Sequence, residues 1–131
     1  MTELKEFFKN DRYAALSGIE LLEVEPGKAT TRMSIRDEHL NAGNVVQGGA
    51  IFTLADLAFA AAVNAYGNLA FSIETSIRYF QSAKSGILYA EARVLYLHRK
   101  LATCEVTVTN QDKELIALFT ATAYRKDVVN Q

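Results

Sequence analysis

A single carboxylate, Asp56, lies inside an otherwise apolar stretch of the chain. Residues 50–66, between Gly48-Gly49 and Gly67, contain no proline and are rich in alanine and leucine, which predicts a helix. Its apolar residues are distributed all the way round, so the helix is expected to be buried on every side. Burying an Asp is costly unless it is paired, hydrogen-bonded or neutralised. Asp56 is therefore a candidate for chemistry, with a hydrogen bond from Thr53 or from a partner helix as the structural alternative.

The glycine pair precedes the predicted helix and suggests a second chemical group. Glycines permit close backbone approach, and the first N–H groups of a helix have no intrahelical partner, so Gly48 and Gly49 can form an oxyanion site. The structural alternative is a loop that turns into a helix against a sheet. Asp56 lies eight residues beyond Gly48, roughly 12 Å along a helix axis. If both groups act on one substrate, they must come from different subunits.

Three polar residues near these groups could assist. The side-chain amides of Asn41 and Gln47 can donate to a carbonyl oxygen, although loop amides more often cap turns. Ser72 is predicted on the polar face of the strand after the helix, where its hydroxyl could orient a water. Most strand serines only face solvent or bond a neighbour.

The histidines and the cationic turn are less informative. His39 and His98 have no spacing that suggests a metal site or a nucleophile triad, so both are predicted on the surface. Arg99 and Lys100 could bind phosphates, but basic residues are common in turns.

The composition limits the class of protein. A chain of 131 residues is expected to form one domain over residues 1–131, and a net charge of −1 gives no electrostatic case for nucleic acid or an anionic membrane as a partner. The one cysteine, Cys104, excludes an internal disulfide and a metal site built on thiolates. Residues 1–10 lack the apolar core of a secretory signal, and Asp56 argues against a membrane span. We expect a cytoplasmic protein.

The remaining elements are predicted to surround the buried helix. A short amphipathic helix is expected at residues 2–9, a hairpin follows around Pro26-Gly27, and residues 37–47 read as a loop. The predicted strands cover residues 18–25, 28–36, 71–79, 87–97, 101–109 and 114–125. This order predicts an α+β fold in which one curved antiparallel sheet wraps a long central helix. One sheet leaves part of such a helix bare, so a second copy of the chain is expected to cover it.

Several of these residues match a known pattern. Asn41, the run Gln47-Gly48-Gly49 and Asp56 resemble the signature N-x-x-G-x-x-H-G-G, with Asp seven residues on, of PaaI-like hotdog-fold acyl-CoA thioesterases. The resemblance covers nearly the whole chain, including Ser72-Ile73-Glu74 ahead of Tyr79. It implies the hotdog fold, hydrolysis of acyl-CoA thioesters at a subunit interface, and dimers or dimers of dimers. No cofactor is implied, because coenzyme A is part of the substrate.

The resemblance also implies roles for individual residues. The Gly48 N–H would polarise the thioester carbonyl with help from Asn41, Asp56 of the other subunit would be general base or nucleophile, and Ser72 would position water. A second set would bind substrate and coenzyme A, namely Gly49, Tyr79, Arg99 and Lys100.

Two positions depart from the pattern. Asn44 replaces a Gly but tolerates a left-handed backbone, whereas Gln47 replaces a His and cannot titrate near neutral pH. Since only a donor is needed at Gln47, activity is expected to persist. Two alternatives remain, a catalytically silent acyl-CoA sensor or carrier and a dehydratase or hydratase of acyl thioesters. The latter usually needs a His beside the acid.

Overall fold

A computed structural model describes residues 2–126 of the chain, which form one curved antiparallel sheet wrapped around a long helix. The helices are α1 (Thr2–Phe8), α2 (Arg12–Leu16) and α3 (Gly48–Asn64), with a 3-10 turn at Asp37–His39. The strands are β1 (Ile19–Glu25), β2 (Lys28–Ser34), β3 (Ala70–Tyr79), β4 (Ile87–Leu97), β5 (Leu101–Asn110) and β6 (Leu115–Arg125). The sheet order is β1-β2-β4-β5-β6-β3. This arrangement is the predicted α+β architecture, one antiparallel sheet around a long central helix.

The core lies between α3 and the concave face of the sheet. Phe59 of α3 packs against Phe119 of β6 with their ring centroids 5.9 Å apart, and both side chains are fully buried. Each large side chain removed from water in this way stabilises the fold by about 1.5–3 kcal/mol. The buried Thr31 hydroxyl donates to the carbonyl of Leu54 at 2.8 Å and so attaches β2 to the middle of the helix. The sheet therefore holds α3 in a fixed position.

The Pro26-Gly27 turn joins β1 to β2, as predicted, and it also contacts the helix. The Gly27 N–H donates to the carbonyl of Ala62 in α3 at 3.1 Å, and the Gly27 carbonyl accepts from Val94 at 2.8 Å. Gly27 has φ +83°, a conformation that side chains disfavour. The turn thus fixes the far end of α3 relative to β4.

Within one chain, α3 is bare along one stripe, as expected for a single sheet around a helix, and burial of this stripe by a second copy stays a prediction. Nine of its residues are buried, but Gly49, Thr53, Asp56, Ala60 and Asn64 are only half-buried or exposed. These positions recur every three or four residues and so share one face of the helix. One sheet covers the other faces and leaves this stripe open.

Strand β3 lies at the edge of the sheet, and its predicted alternation is wrong in part. Phe71 and Ile73 were expected on a buried face but are 52% and 61% exposed. A bulge between Ser72 and Glu74 inserts an extra residue and shifts the alternation. The sequence pattern does not reveal the bulge, because the alternation of apolar and polar residues runs from Phe71 to Tyr79 without a break.

Two segments between the predicted elements also acquire structure. Helix α2 was not predicted, since it has only five residues, and the Asp11 side chain caps it by accepting from the N–H of Ala14 at 3.1 Å. The loop at 37–47 contains the 3-10 turn and a bridge between Leu40 and Val46. Among residues 2–126, no helix combines the length and hydropathy that crossing a bilayer requires. The proposed single domain over residues 1–131 extends past the described residues at both ends and stays a prediction.

Candidate active site

The start of α3 presents two backbone donors. Gln47 precedes the helix with φ −63° and ψ 140°, and its carbonyl accepts from the N–H groups of Ala50 at 3.0 Å and Ile51 at 3.3 Å. The N–H groups of Gly48 and Gly49 have no hydrogen-bond partner within residues 2–126. Unpartnered donors at a helix N-terminus favour an oxygen that bears negative charge.

Backbone hydrogen bonds attach the loop before α3 to two other segments of the chain. The Val46 N–H donates to the carbonyl of Ala83, and the Gln47 N–H donates to the carbonyl of His39, each at 2.8 Å. Asn44 has φ +62°, the left-handed backbone that the family pattern assigns to Gly, so this departure is accommodated. Hydrogen bonds on both sides of the loop thus determine where α3 begins.

Asn41 has a structural role that the sequence left open. Its side-chain oxygen accepts from the N–H groups of Gly43 at 2.9 Å and Val45 at 3.3 Å, which caps the turn. The Nδ2 group of this side chain has no partner among the described residues and is available as a donor. The two readings of Asn41 are therefore compatible.

His39 was predicted on the surface, but in the structure it is buried, with 5% exposure. Its Nδ1 accepts from the N–H of Arg36 at 2.9 Å, so its Nε2 carries the proton and donates to the carbonyl of Ser17 at 2.7 Å. Its backbone carbonyl holds Gln47, as described above. His39 thus supports the loop that leads into α3, and a cavity of about 120 Å³ lies between it, Tyr13 and the Gln47 side chain. The sequence around His39 has no hydrophobic periodicity, so it gave no signal for this role.

Asp56 lies on the open stripe of α3. The Thr53 hydroxyl donates to the carbonyl of Gly49 at 2.8 Å and not to Asp56, so the alternative of a bond from Thr53 is wrong, whereas a bond from a partner helix stays a prediction. The carboxylate has no hydrogen-bond partner within residues 2–126. Burial raises the pKa of the Asp56 carboxyl above its usual range, and the negative charge of Asp11 raises that pKa further. A half-buried carboxylate with a raised pKa and no partner is the kind of group that accepts protons in catalysis.

Ser72 is not on the outer, polar face of the sheet, where the sequence placed it. It pairs with Ala123, a fully buried residue, and side chains of directly opposed residues share a face. The bulge after Ser72 thus brings its hydroxyl to the side of the sheet that faces the helix. Ser72 itself is exposed within one chain.

Tyr79 is the last residue of β3, at the end of the strand opposite to Ser72. Its hydroxyl donates to the carbonyl of Gly48 at 2.9 Å, and its ring lies against the glycine. The side chain is 48% exposed, and burial of the remainder raises the pKa of Tyr79. The structure therefore brings Tyr79 and Gly48 together within one chain.

Arg99 and Lys100 lie far from these groups in the same chain. They form the β4–β5 turn beside Arg125, whose N–H donates to the Lys100 carbonyl at 2.7 Å. Arg125 pairs with Ala70, the first residue of β3, whereas Tyr79 is the last. Nine residues of strand separate these ends by about 30 Å. One chain alone does not place its cationic turn beside its own helix start.

Comparison with known proteins agrees with the fold, and the predicted α+β hotdog fold is confirmed. Residues 43–117 match the profile of a family described as the thioesterase superfamily, and this chain belongs to that superfamily. The predicted PaaI-like resemblance and the enzyme class, thioester hydrolase, are both confirmed. No cluster of three His, Cys, Asp or Glu side chains suited to a metal occurs among residues 2–126.

Three relatives illustrate the similarity. A protein of Archaeoglobus fulgidus described as a putative esterase is 47% identical over 119 residues, covering 90% of this chain and 77% of that protein. The structure of the Escherichia coli PaaI protein superposes with a TM-score of 0.89 at 28% identity, covering 93% and 89% of the two chains. The structure of smu.793 from Streptococcus mutans, bound to acetyl CoA, superposes with a TM-score of 0.81 at 28% identity, covering 86% and 91%.

Proposed function

We propose that this chain is an acyl-CoA thioesterase that works as a dimer, with each active site built from two subunits. The observation that carries the proposal is the pair of unpartnered groups on α3, the N–H donors of Gly48 and Gly49 and the carboxylate of Asp56. Eight residues separate Gly48 from Asp56, about 12 Å along one helix. A second copy of α3 can bring its Asp56 to the donors of the first.

The proposed reaction uses each group once. The N–H groups of Gly48 and Gly49, with the Nδ2 group of Asn41 and the Gln47 side chain, bind the thioester carbonyl oxygen, where negative charge develops as the carbon is attacked. Asp56 of the partner accepts the proton of the attacking water, or attacks the carbonyl itself to give an acyl intermediate that water then cleaves. Ser72 positions the water. The C–S bond breaks as the carbonyl re-forms, and coenzyme A leaves as the thiol.

The free edge of β3 supports this assembly. The strand has ten residues, and its exposed Phe71 and Ile73 would be covered if β3 paired with a second β3. An antiparallel pair would place the Tyr79 end of one strand beside the Ala70 end of the other. The partner's turn at Arg99 and Lys100 would then lie near the first chain's helix start, where it can hold the phosphates of coenzyme A.

The substrate class rests on the relatives. Escherichia coli PaaI, 29% identical over 119 residues, is described as an acyl-coenzyme A thioesterase, and smu.793 binds acetyl CoA. Phenylacetyl, hydroxybenzoyl and fatty acyl groups are all candidates for the acyl part. We further propose a cytoplasmic enzyme, active without a cofactor, that forms dimers or dimers of dimers.

The test is release of free coenzyme A. Purified protein is incubated with a panel of acyl-CoAs and a thiol reagent, and wild type is compared with Asp56→Ala. We expect release from at least one acyl-CoA by the wild type and a loss of at least about 10²-fold in the variant. Tight binding of acyl-CoA without release by either protein would instead identify a sensor or carrier.

A further inference from the structure

The Tyr79 hydroxyl forms a contact that the proposed reaction does not explain. Tyr79 pairs across the sheet with the buried Ala117, so its ring lies on the face of β3 that points towards α3. From there the hydroxyl reaches the carbonyl of Gly48 at 2.9 Å. The Tyr79 hydroxyl is therefore already hydrogen-bonded to the backbone of its own chain.

The contact matters because of which peptide group it touches. The carbonyl of Gly48 and the N–H of Gly49 belong to the same peptide group, so a donor on the oxygen strengthens the N–H as a donor. The preceding peptide is arranged in the same way, since the Gln47 carbonyl accepts from Ala50 and Ile51 while the Gly48 N–H is unpartnered among the described residues. Each free N–H at the helix start is thus preceded by a carbonyl that is hydrogen-bonded.

Packing makes the contact specific. A Cβ atom at Gly48 would lie 3.0 Å from both Cζ and the hydroxyl oxygen of Tyr79, so the ring occupies the space that any other residue's side chain would need. Burial raises the pKa of Tyr79, which keeps its hydroxyl protonated and able to donate at neutral and mildly alkaline pH.

We infer that Tyr79 is a positioning residue for thioester hydrolysis, which fixes and polarises the peptide between Gly48 and Gly49 and thereby orients the carbonyl-binding N–H groups. It acts through these glycines and need not touch the substrate. This inference rests on the proposed function for its kinetic consequence, but the effect on the Gly49 N–H exists without substrate.

Tyr79→Phe tests the inference, because it removes the hydroxyl and keeps the ring. With the best acyl-CoA, kcat is expected to fall roughly three- to tenfold while KM stays within about twofold, less than the loss of about 10²–10³ when an oxyanion donor is itself removed. Tyr96→Phe is the matched control, since Tyr96 is exposed on β4 and its hydroxyl has no partner among the described residues. It should leave both constants unchanged.

Two spectroscopic measurements separate orientation from general stability. In the free protein, the Gly49 amide proton should shift upfield in Tyr79→Phe and stay in place in Tyr96→Phe. With a bound acyl-CoA analogue in which CH₂ replaces the thioester sulfur, the carbonyl stretching frequency should be higher in Tyr79→Phe than in wild type.

The outcomes are distinct. An unchanged Gly49 resonance together with unchanged kcat overturns the inference, and a raised KM at unchanged kcat overturns it in favour of direct substrate binding by Tyr79. If the wild type hydrolyses no acyl-CoA, the proposed function fails, while the Gly49 shift still decides whether Tyr79 polarises this peptide. Gly48→Ala should displace the Tyr79 ring and so disrupt the same contact. The loss of kcat in the double variant Gly48→Ala/Tyr79→Phe should therefore be smaller than the product of the losses in the two single variants.

Discussion

At the scale of single residues, the charge of Asp11, the N-cap of α2, acts on the Asp56 carboxyl of α3. The carboxylate of Asp56 must be ionised to accept a proton, so activity should rise with pH through its pKa, which burial and the charge of Asp11 both raise. Asp11→Asn removes that charge and still caps α2, because Asn caps helices as well as Asp. We expect the acidic limb of the kcat/KM profile to move to lower pH, measured with a buffer series. Asp112→Asn, an exposed change in the β5–β6 turn, should not move it.

The same raised pKa predicts an effect on stability. A carboxyl whose pKa is higher in the folded than in the unfolded state binds its proton more tightly when folded. The free energy of unfolding therefore falls as pH rises from the unfolded-state pKa to the folded-state pKa, and it stays lower at neutral pH. Asp56→Asn carries no such charge. Its Tm should exceed that of wild type at pH 7, and the difference should shrink as pH falls below the usual Asp range. An equal difference at all pH values would contradict the raised pKa.

Residue types were more predictable than residue environments. The sequence identified Gly48, Asn41 and Asp56 as candidates, because residue types and their spacing can be read directly from it. It misplaced His39 and Ser72, because burial of the first depends on α2 and the side of the sheet taken by the second depends on a bulge. Non-local packing decided both positions.

At the scale of elements, the β1–β2 turn should tolerate substitution poorly. Gly27→Ala combines a left-handed φ of +83° with a collision against the Tyr66 hydroxyl, whereas Gly67→Ala has a φ of +98° and open space around it. The first should lower the free energy of unfolding by about 2–4 kcal/mol and the second by about 1–2 kcal/mol. Urea denaturation measures both. Equal losses would show that the contact with Tyr66 contributes nothing.

Regular elements were predicted well where the pattern was long. The six strands and α3 were found from period and composition, although α3 begins at Gly48 and not after the glycines. Helix α2 was missed, because five residues are too few to show a period. Its N-cap, Asp11, was therefore missed as a neighbour of Asp56.

At the scale of the whole molecule, the open stripe on α3 and the free edge of β3 predict that two chains share each site. Gly48→Pro removes one donor and, because its ring needs the space that Tyr79 occupies, also displaces the Tyr79 side chain. The helix is kept, because Pro suits the first helical position and Gln47 already has the φ and ψ that precede Pro. Asp56→Ala removes the acid. Each variant should be inactive alone, and each should be checked by its Tm and its dimer mass.

Mixing the two variants tests whether Gly48 and Asp56 meet across subunits. If they do, a mixed dimer has one site with both groups intact and one site with both changed, and random pairing after joint refolding restores about a quarter of wild-type activity. If both groups came from the same chain, every site in the mixture would lack one of them and activity would stay at the level of the separate variants. Release of coenzyme A across a range of mixing ratios distinguishes these cases, since restored activity should peak at equal amounts. Recovery that follows the ratio in this way requires an active site in which α3 of one chain faces α3 of the other.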